Sequence, residues 1–236
     1  MRNQYGQSQR KEKGDTMLTK TIGFIGIDKY DFISYIAKVL SEMQRKVLLV
    51  DYTTMRSLMS TIPDYIQGKI VKYQNLFYLG DPKIGEIQTL IQQGNYDFIL
   101  MDFDYSCGRR DVFLCENIVF VTDLQRHHME ALECIKLPDT MNKYMVFRME
   151  IANKIASSYV KQIMNDMGIE KEKAFSVPWG TKEKQNQLRC QYQFEIPWKR
   201  SASSVKKVVW GLVKEWVQNP KDTEPVSLLF PSEQVV

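Results

Sequence analysis

Residues 21–54 read TIGFIGIDKYDFISYIAKVLSEMQRKVLLVDYTT. The opening run, Thr21 to Ile27, is short and apolar, which suits a strand covered on both faces. From about Asp31 onward, Phe32, Ile33, Ile36, Ala37, Val39 and Leu40 recur at helical spacing, while Ser34, Lys38 and Glu42 fall on the opposite side. Lys46-Val-Leu-Leu-Val-Asp51 then makes a second buried strand that ends in an acid. Strand, helix and strand with short links form a βαβ unit, whose strands run parallel through a right-handed crossover.

The same alternation continues outward. Asn75–Gly80, Tyr96–Asp102, Asn117–Thr122, Tyr144–Phe147 and Ala174–Pro178 read as further strands. Helices are expected over Ile84–Gln93, through Met129, Leu132 and Ile135, over Ile151–Met167, and over Ser203–Gln218. This order predicts an α/β protein with a single doubly wound, mostly parallel sheet flanked by helices. It places one domain over residues 18–218, between a polar tail (1–17) and a second tail (219–236) that holds three prolines. In such sheets ligands lie beyond the carboxyl ends of the strands. The segments to inspect are therefore 26–34, 51–56, 102–111, 122–128, 148–153 and 178–187.

Composition narrows the function. The 236 residues carry a net charge of +4, with Lys and Arg scattered along the chain, which argues against a nucleic-acid groove. Cys107, Cys115, Cys134 and Cys190 lack the spacing of a zinc knuckle, and the two histidines adjoin at His127-His128, so no metal site is expected. Reduced buried thiols, no apolar run of transmembrane length and no apolar signal core in the first ten residues make a cytoplasmic protein the expectation.

Four stretches, in this order, resemble the ParA/MinD family of P-loop ATPases over about Thr21 to Val217. GFIG…ISYIAKVLSEMQRKVLLVD is similar to the family's first strand, loop, helix and second strand, with Asp51 as the second-strand aspartate. YDFILMDFD resembles the Walker B strand, with Asp102 as the magnesium-shell acid. ENIVFVTDLQRHHMEAL and FSVPW are like the strand and helix that follow and the late strand beside the adenine pocket. The resemblance implies a P-loop NTPase-like fold, ATP with Mg²⁺ as cofactor, and nucleotide contacts at Gly26, Lys29, Tyr30, Asp51, Asp102 and Asn153. It also puts Arg148 and Trp179 near the base pocket.

The defining loop departs from the family. The deviant Walker A pattern K-G-G-x-x-G-K-[ST] uses glycines to turn backbone N–H groups toward phosphates, a lysine to neutralise them and a small hydroxyl for Mg²⁺. Here Gly26 is followed by Ile27, Asp28, Lys29, Tyr30, Asp31 and Phe32. Lys29 takes the place of the catalytic lysine and Tyr30 that of the metal-binding hydroxyl. Tyrosine is a poor substitute for Ser or Thr there. Asp28 and Asp31 repel a triphosphate, and side chains with Cβ atoms disfavour the positive φ angles of a phosphate-wrapping loop. No catalytic residue is expected to survive, and no bound cofactor is expected.

Each candidate has a plainer role. Lys29, between two aspartates, reads as a solvated turn residue rather than a phosphate ligand. Asp51 and Asp102 can cap the turns after their strands, and Asp104 could join Asp102 around a cation. Arg109 and Arg110 in SCGRRD, and Arg126 beside the histidines, are partner or anion contacts or else solvated bases. Trp210 and Trp216 stand about 600° apart around the last helix, which puts Trp216 in the core and leaves Trp210 to a partner. The lysines of that helix would allow peripheral membrane association, but its apolar stripe is needed to cover the sheet.

The expectation is a degenerate ParA/MinD-like protein that acts as a non-hydrolysing interaction and positioning module in a bacterial cytoplasm. By resemblance it is nearest to the pilus-assembly localisation proteins of the TadZ/CpaE type, with protein partners and a homodimer through the strand-end face. The alternatives are a working ATPase with an atypical loop and a DNA-binding partition protein.

Overall fold

In the stretch Lys20–Gly26, five consecutive residues are buried, and this strand, β1, is the centre from which the sheet grows in both directions. The computed structural model describes residues 18–105, 110–149 and 157–217. After β1 come α1 (Tyr30–Glu42), β2 (Val47–Asp51), β3 (Val71–Tyr73), β4 (Leu76–Gly80), α2 (Glu86–Gln93) and β5 (Phe98–Phe103). The chain continues with β6 (Asn117–Thr122), α3 (Arg126–Glu133), β7 (Asn142–Met149), α4 (Ser157–Asp166), β8 (Ala174–Pro178), α5 (Thr181–Tyr192) and α6 (Ser203–Trp216).

These strands make one eight-stranded sheet in the order β3-β4-β2-β5-β1-β6-β7-β8. All its pairings are parallel except the β3–β4 hairpin at one edge. The winding reverses at β1, so the turn after β1 lies at the switch point where open α/β sheets take ligands.

Alternation along the strands divides the core in two. Ile22 and Phe24 belong with Phe32, Ile36 and Leu40 of α1 and with Val209, Leu212 and Trp216 of α6 on one face. Ile25 belongs with Ile87 of α2, Met129 and Leu132 of α3, and Ile163 and Met164 of α4 on the other. Each fully buried aliphatic side chain contributes about 1.5–3 kcal/mol, so the two clusters supply the main driving force for the fold. The apolar stripe of α6 is spent on the sheet, as Val205, Val208, Val209, Leu212, Val213 and Trp216 are all buried. Among the described residues no helix is long and apolar enough to cross a membrane.

Two elements escaped the sequence reading. β3 has only three residues, too few for a period to show. α5 buries Glu183, Asn186, Gln187 and Cys190 and leaves Leu188 and Tyr192 exposed, so its apolar residues do not mark its inner face. The expected tails, the start of the helix expected from Ile151, Asn153 and Arg109 lie outside the described residues.

Gly26 closes β1 at φ 133°, and a Cβ built there would meet the Val121 carbonyl oxygen at 1.8 Å. Backbone and neighbour both demand glycine. Gly26→Ala is expected to lower stability by about 3 kcal/mol, measured by urea denaturation. A loss below about 1 kcal/mol would contradict this packing.

Candidate functional site

Residues 27–29 link the end of β1 to α1, and the side chains around them decide what the switch point can hold. Lys29 is 4% exposed, not the solvated turn residue that its two flanking aspartates suggested. Its ammonium turns inward, 2.7 Å from Asp102 Oδ1, and donates to the Gly26 carbonyl oxygen at 2.9 Å. The reason lies in the sheet: β5 is the direct neighbour of β1, and its acidic end is within reach of the turn.

Asp102 and Asp51 are register partners on adjacent strands, so two buried carboxylates stand side by side. Burial pushes the Asp102 carboxyl up to about 6; Lys29 pulls it down, while Asp51 pushes it further up. Asp51 acts as a cap. One oxygen accepts from the Thr53 amide and hydroxyl at 2.8 and 2.6 Å, and the other from the Leu58 and Met59 amides at 3.0 and 3.2 Å. Burial raises its pKa too, against these hydrogen bonds. Asp104 accepts from the Thr54 amide and hydroxyl at 2.8 and 2.9 Å. Among the described residues, no group of three or more His, Cys, Asp or Glu side chains could hold a metal ion.

The second ion pair seals the other side of the turn. Asp31, fully buried in the first turn of α1, receives both arms of the Arg148 guanidinium at 2.7 Å each. Arg148 also donates to the Asp28 carbonyl oxygen. Gln187 of α5 adds longer bonds, 3.3 Å, to the same carbonyl and to Asp31. Burial opposes the charge on Arg148, but Asp31 outweighs it and holds the guanidinium pKa above its ordinary value. Trp179 lies against the guanidinium, 5.0 Å from its ring centre. This clamp holds Asp28 at φ 31°, a left-handed conformation that aspartate tolerates better than most residues.

Tyr30 begins α1 with its ring buried, and burial, followed by Asp31, raises its hydroxyl pKa. It forms a wall of the site. At the neighbouring rim, His128 bonds Asp123 at 2.8 Å and stacks on Tyr105. Arg110 and Arg126 are exposed, Arg126 paired with Glu130 at 2.7 Å. Trp210 is not the exposed contact expected; it packs, half-buried, against the core. Sequence reading saw Asp31 only as a repulsive charge and missed its partnership with Arg148. The available signal was an arginine embedded in the apolar strand YMVFRM, which calls for a buried partner.

Two consequences can be measured. Arg148→Met leaves the Asp31 carboxylate buried and unanswered, so it should cost about 3–5 kcal/mol in urea denaturation, largely recovered in an Arg148→Met/Asp31→Leu double variant. The raised pKa of Asp102 means that the folded state holds its proton more tightly than the unfolded state. The associated stability is present below about pH 4 and is lost as pH rises toward about 6. Relative to Asp102→Asn, the unsubstituted protein should lose on the order of 2 kcal/mol between these limits and nothing further above pH 7. A pH-independent difference would contradict a buried, proton-holding Asp102.

No family model matches the sequence, and no curated protein sequence matches it. The fold does have solved relatives. The MinD cell division protein of Aquifex aeolicus superposes with a TM-score of 0.61 at 16% identity, covering 85% of this chain and 99% of that one. A ParA family ATPase from Chlorobium tepidum TLS gives 0.60 at 15% identity, covering 82% and 98%. The apo form of Cyanthece McdA gives 0.51 at 10% identity, covering 88% and 96%. At these identities it is the architecture that is shared: the chain has the doubly wound P-loop NTPase fold of the MinD and ParA ATPases.

Proposed function

We propose that this chain is a ParA/MinD-type protein that has given up nucleotide hydrolysis and works as a positioning and interaction module through protein partners. One observation carries the reading. Among the described residues, two cations that flank the switch-point turn, Lys29 and Arg148, are bound to buried carboxylates of the chain itself. The turn further lacks the glycines that would point several amides at a phosphate, and it carries Asp28 in addition. By the family resemblance, pilus-assembly localisation proteins of the TadZ/CpaE type, a group that tolerates atypical Walker A loops, are nearest in kind. Support for a protein partner, a second copy among the candidates, comes from the strand-end rim. Met55 and Ile84, just beyond β2 and β4, are 82% and 100% exposed.

A working ATPase is the second reading, favoured by the place of Lys29 in the turn and beside a strand-end acid. Calorimetric titration with ATP and ADP, with and without Mg²⁺, separates the two. A site with a Kd of about 10 µM would add about 2.7 kcal/mol of stability at about 1 mM ATP. That would raise Tm by roughly 5–10 °C for a chain of this size. The expected result is no binding heat and no shift in Tm. A shift that Lys29→Ala abolishes would establish the ATPase reading instead.

A further inference from the structure

The opposite end of the sheet holds a separate cavity of about 440 Å³, between the C-terminal ends of α3 and α4 and the strands β6 and β7. Lys143, second residue of β7, stands five residues before Arg148, so about 17 Å of strand separates this cavity from the switch-point turn. Four of its lining residues are apolar, Phe120, Ile135, Leu137 and Met167, and five are charged, Glu133, Lys136, Asp139, Lys143 and Asp166. Phe120 and Met167 are buried, as is Lys143.

Lys143 is the unusual member. Its side chain is 8% exposed, yet its ammonium has only long contacts among the described residues, 3.5 Å to the Leu137 carbonyl oxygen and 3.4 Å to Asp139. Asp139 is itself fully exposed, so water screens much of what it offers. A charge-assisted bond to a carboxylate would be near 2.8 Å. An ammonium on a buried side chain gains from a closer acceptor, and the adjoining cavity leaves room for one beside these two long contacts. Lys136 also lines the space.

We infer that this cavity binds a small apolar carboxylate, its charged end on the Lys143 ammonium and its body against Phe120, Ile135, Leu137 and Met167. The other lining charges narrow the class. Glu133, Asp139 and Asp166 also border the cavity, and three carboxylates repel a multiply charged anion far more than a single one. Phosphates are therefore disfavoured, whereas one carboxylate bound to a buried ammonium suffices. Such a group is found on free short-chain acids and on the C-terminus of a peptide that ends in an apolar residue.

The test uses the full chain labelled at methionine, isoleucine and leucine methyl groups. Hexanoate should shift the Met167, Ile135 and Leu137 methyl signals saturably, whereas hexanol and inorganic phosphate should not. A peptide ending in Val-Leu, compared with its C-terminal amide, asks about the second source, and the tighter of hexanoate and the free-acid peptide identifies it. Lys143→Met, which replaces a buried charge by an apolar chain of similar length, should weaken binding about tenfold or more, and Lys143→Arg should restore part of it. If neither carboxylate moves these signals, if phosphate or the neutral probes move them equally, or if a folded Lys143→Met variant binds as well as the original, the inference is wrong.

Discussion

Two carboxylates almost without solvent, Asp31 and Asp102, flank the turn between β1 and α1, and everything at this end of the sheet is arranged to answer them. A buried anion is tolerated only when it is paired and its oxygens are bonded. Arg148 supplies a planar fork for Asp31, and Lys29 supplies a point charge for Asp102. The two pairs draw together β1, α1, β5 and β7, with Gln187 of α5 completing the bonds to Asp31. Mutual neutralisation thus determines the shape of the turn, and the glycine-rich flexibility of a phosphate loop is absent.

The layered architecture could be read before the structure because it rests on patterns that sequence displays directly. β8 fell on Ala174–Pro178 as expected, and β2, β5 and β6 lay within or beside their expected spans, because a continuous apolar run between polar turns has few other homes. The candidate site was legible only in part. Asp51 and Asp102 were found because strand ends are visible in the sequence, and the capping role of Asp51 followed from ordinary strand-end chemistry. Lys29 was misread because its neighbours in sequence, two aspartates, are not its partners in space. Its partner lies 73 residues away on a strand whose adjacency depends on the winding order. The same non-local pairing hid Arg148 and Asp31, 117 residues apart.

α5 shows a different limit. Hydrophobic periodicity finds helices that bury apolar stripes, but this one turns Glu183, Asn186 and Gln187 inward. Glu183 accepts from the Ala202 amide at 3.0 Å at the start of α6, and Gln187 reaches the clamp. The helix is held by polar tasks rather than by burial of aliphatics. Its amphipathic signature is blurred for that reason, and its position makes it the cover of the Arg148–Asp31 pair.

The energetics of the two ion pairs set how firmly the turn is held. Lys29 is held by Asp102, and the Asp31–Arg148 pair holds the backbone at Asp28. Breaking a single buried pair costs about 3–5 kcal/mol, because the abandoned charge stays in a poorly solvated place. A nucleotide present at about a thousand times its intrinsic Kd returns only about 4.1 kcal/mol by mass action. Protonating Asp102, whose pKa stands near 6, would loosen its pairing with Lys29. Lys29 with Asp102 and Arg148 with Asp31 thus tie the turn to β5 and β7, and these two pairs, as well as the altered glycine pattern, distinguish it from the glycine-rich sequence of a phosphate loop.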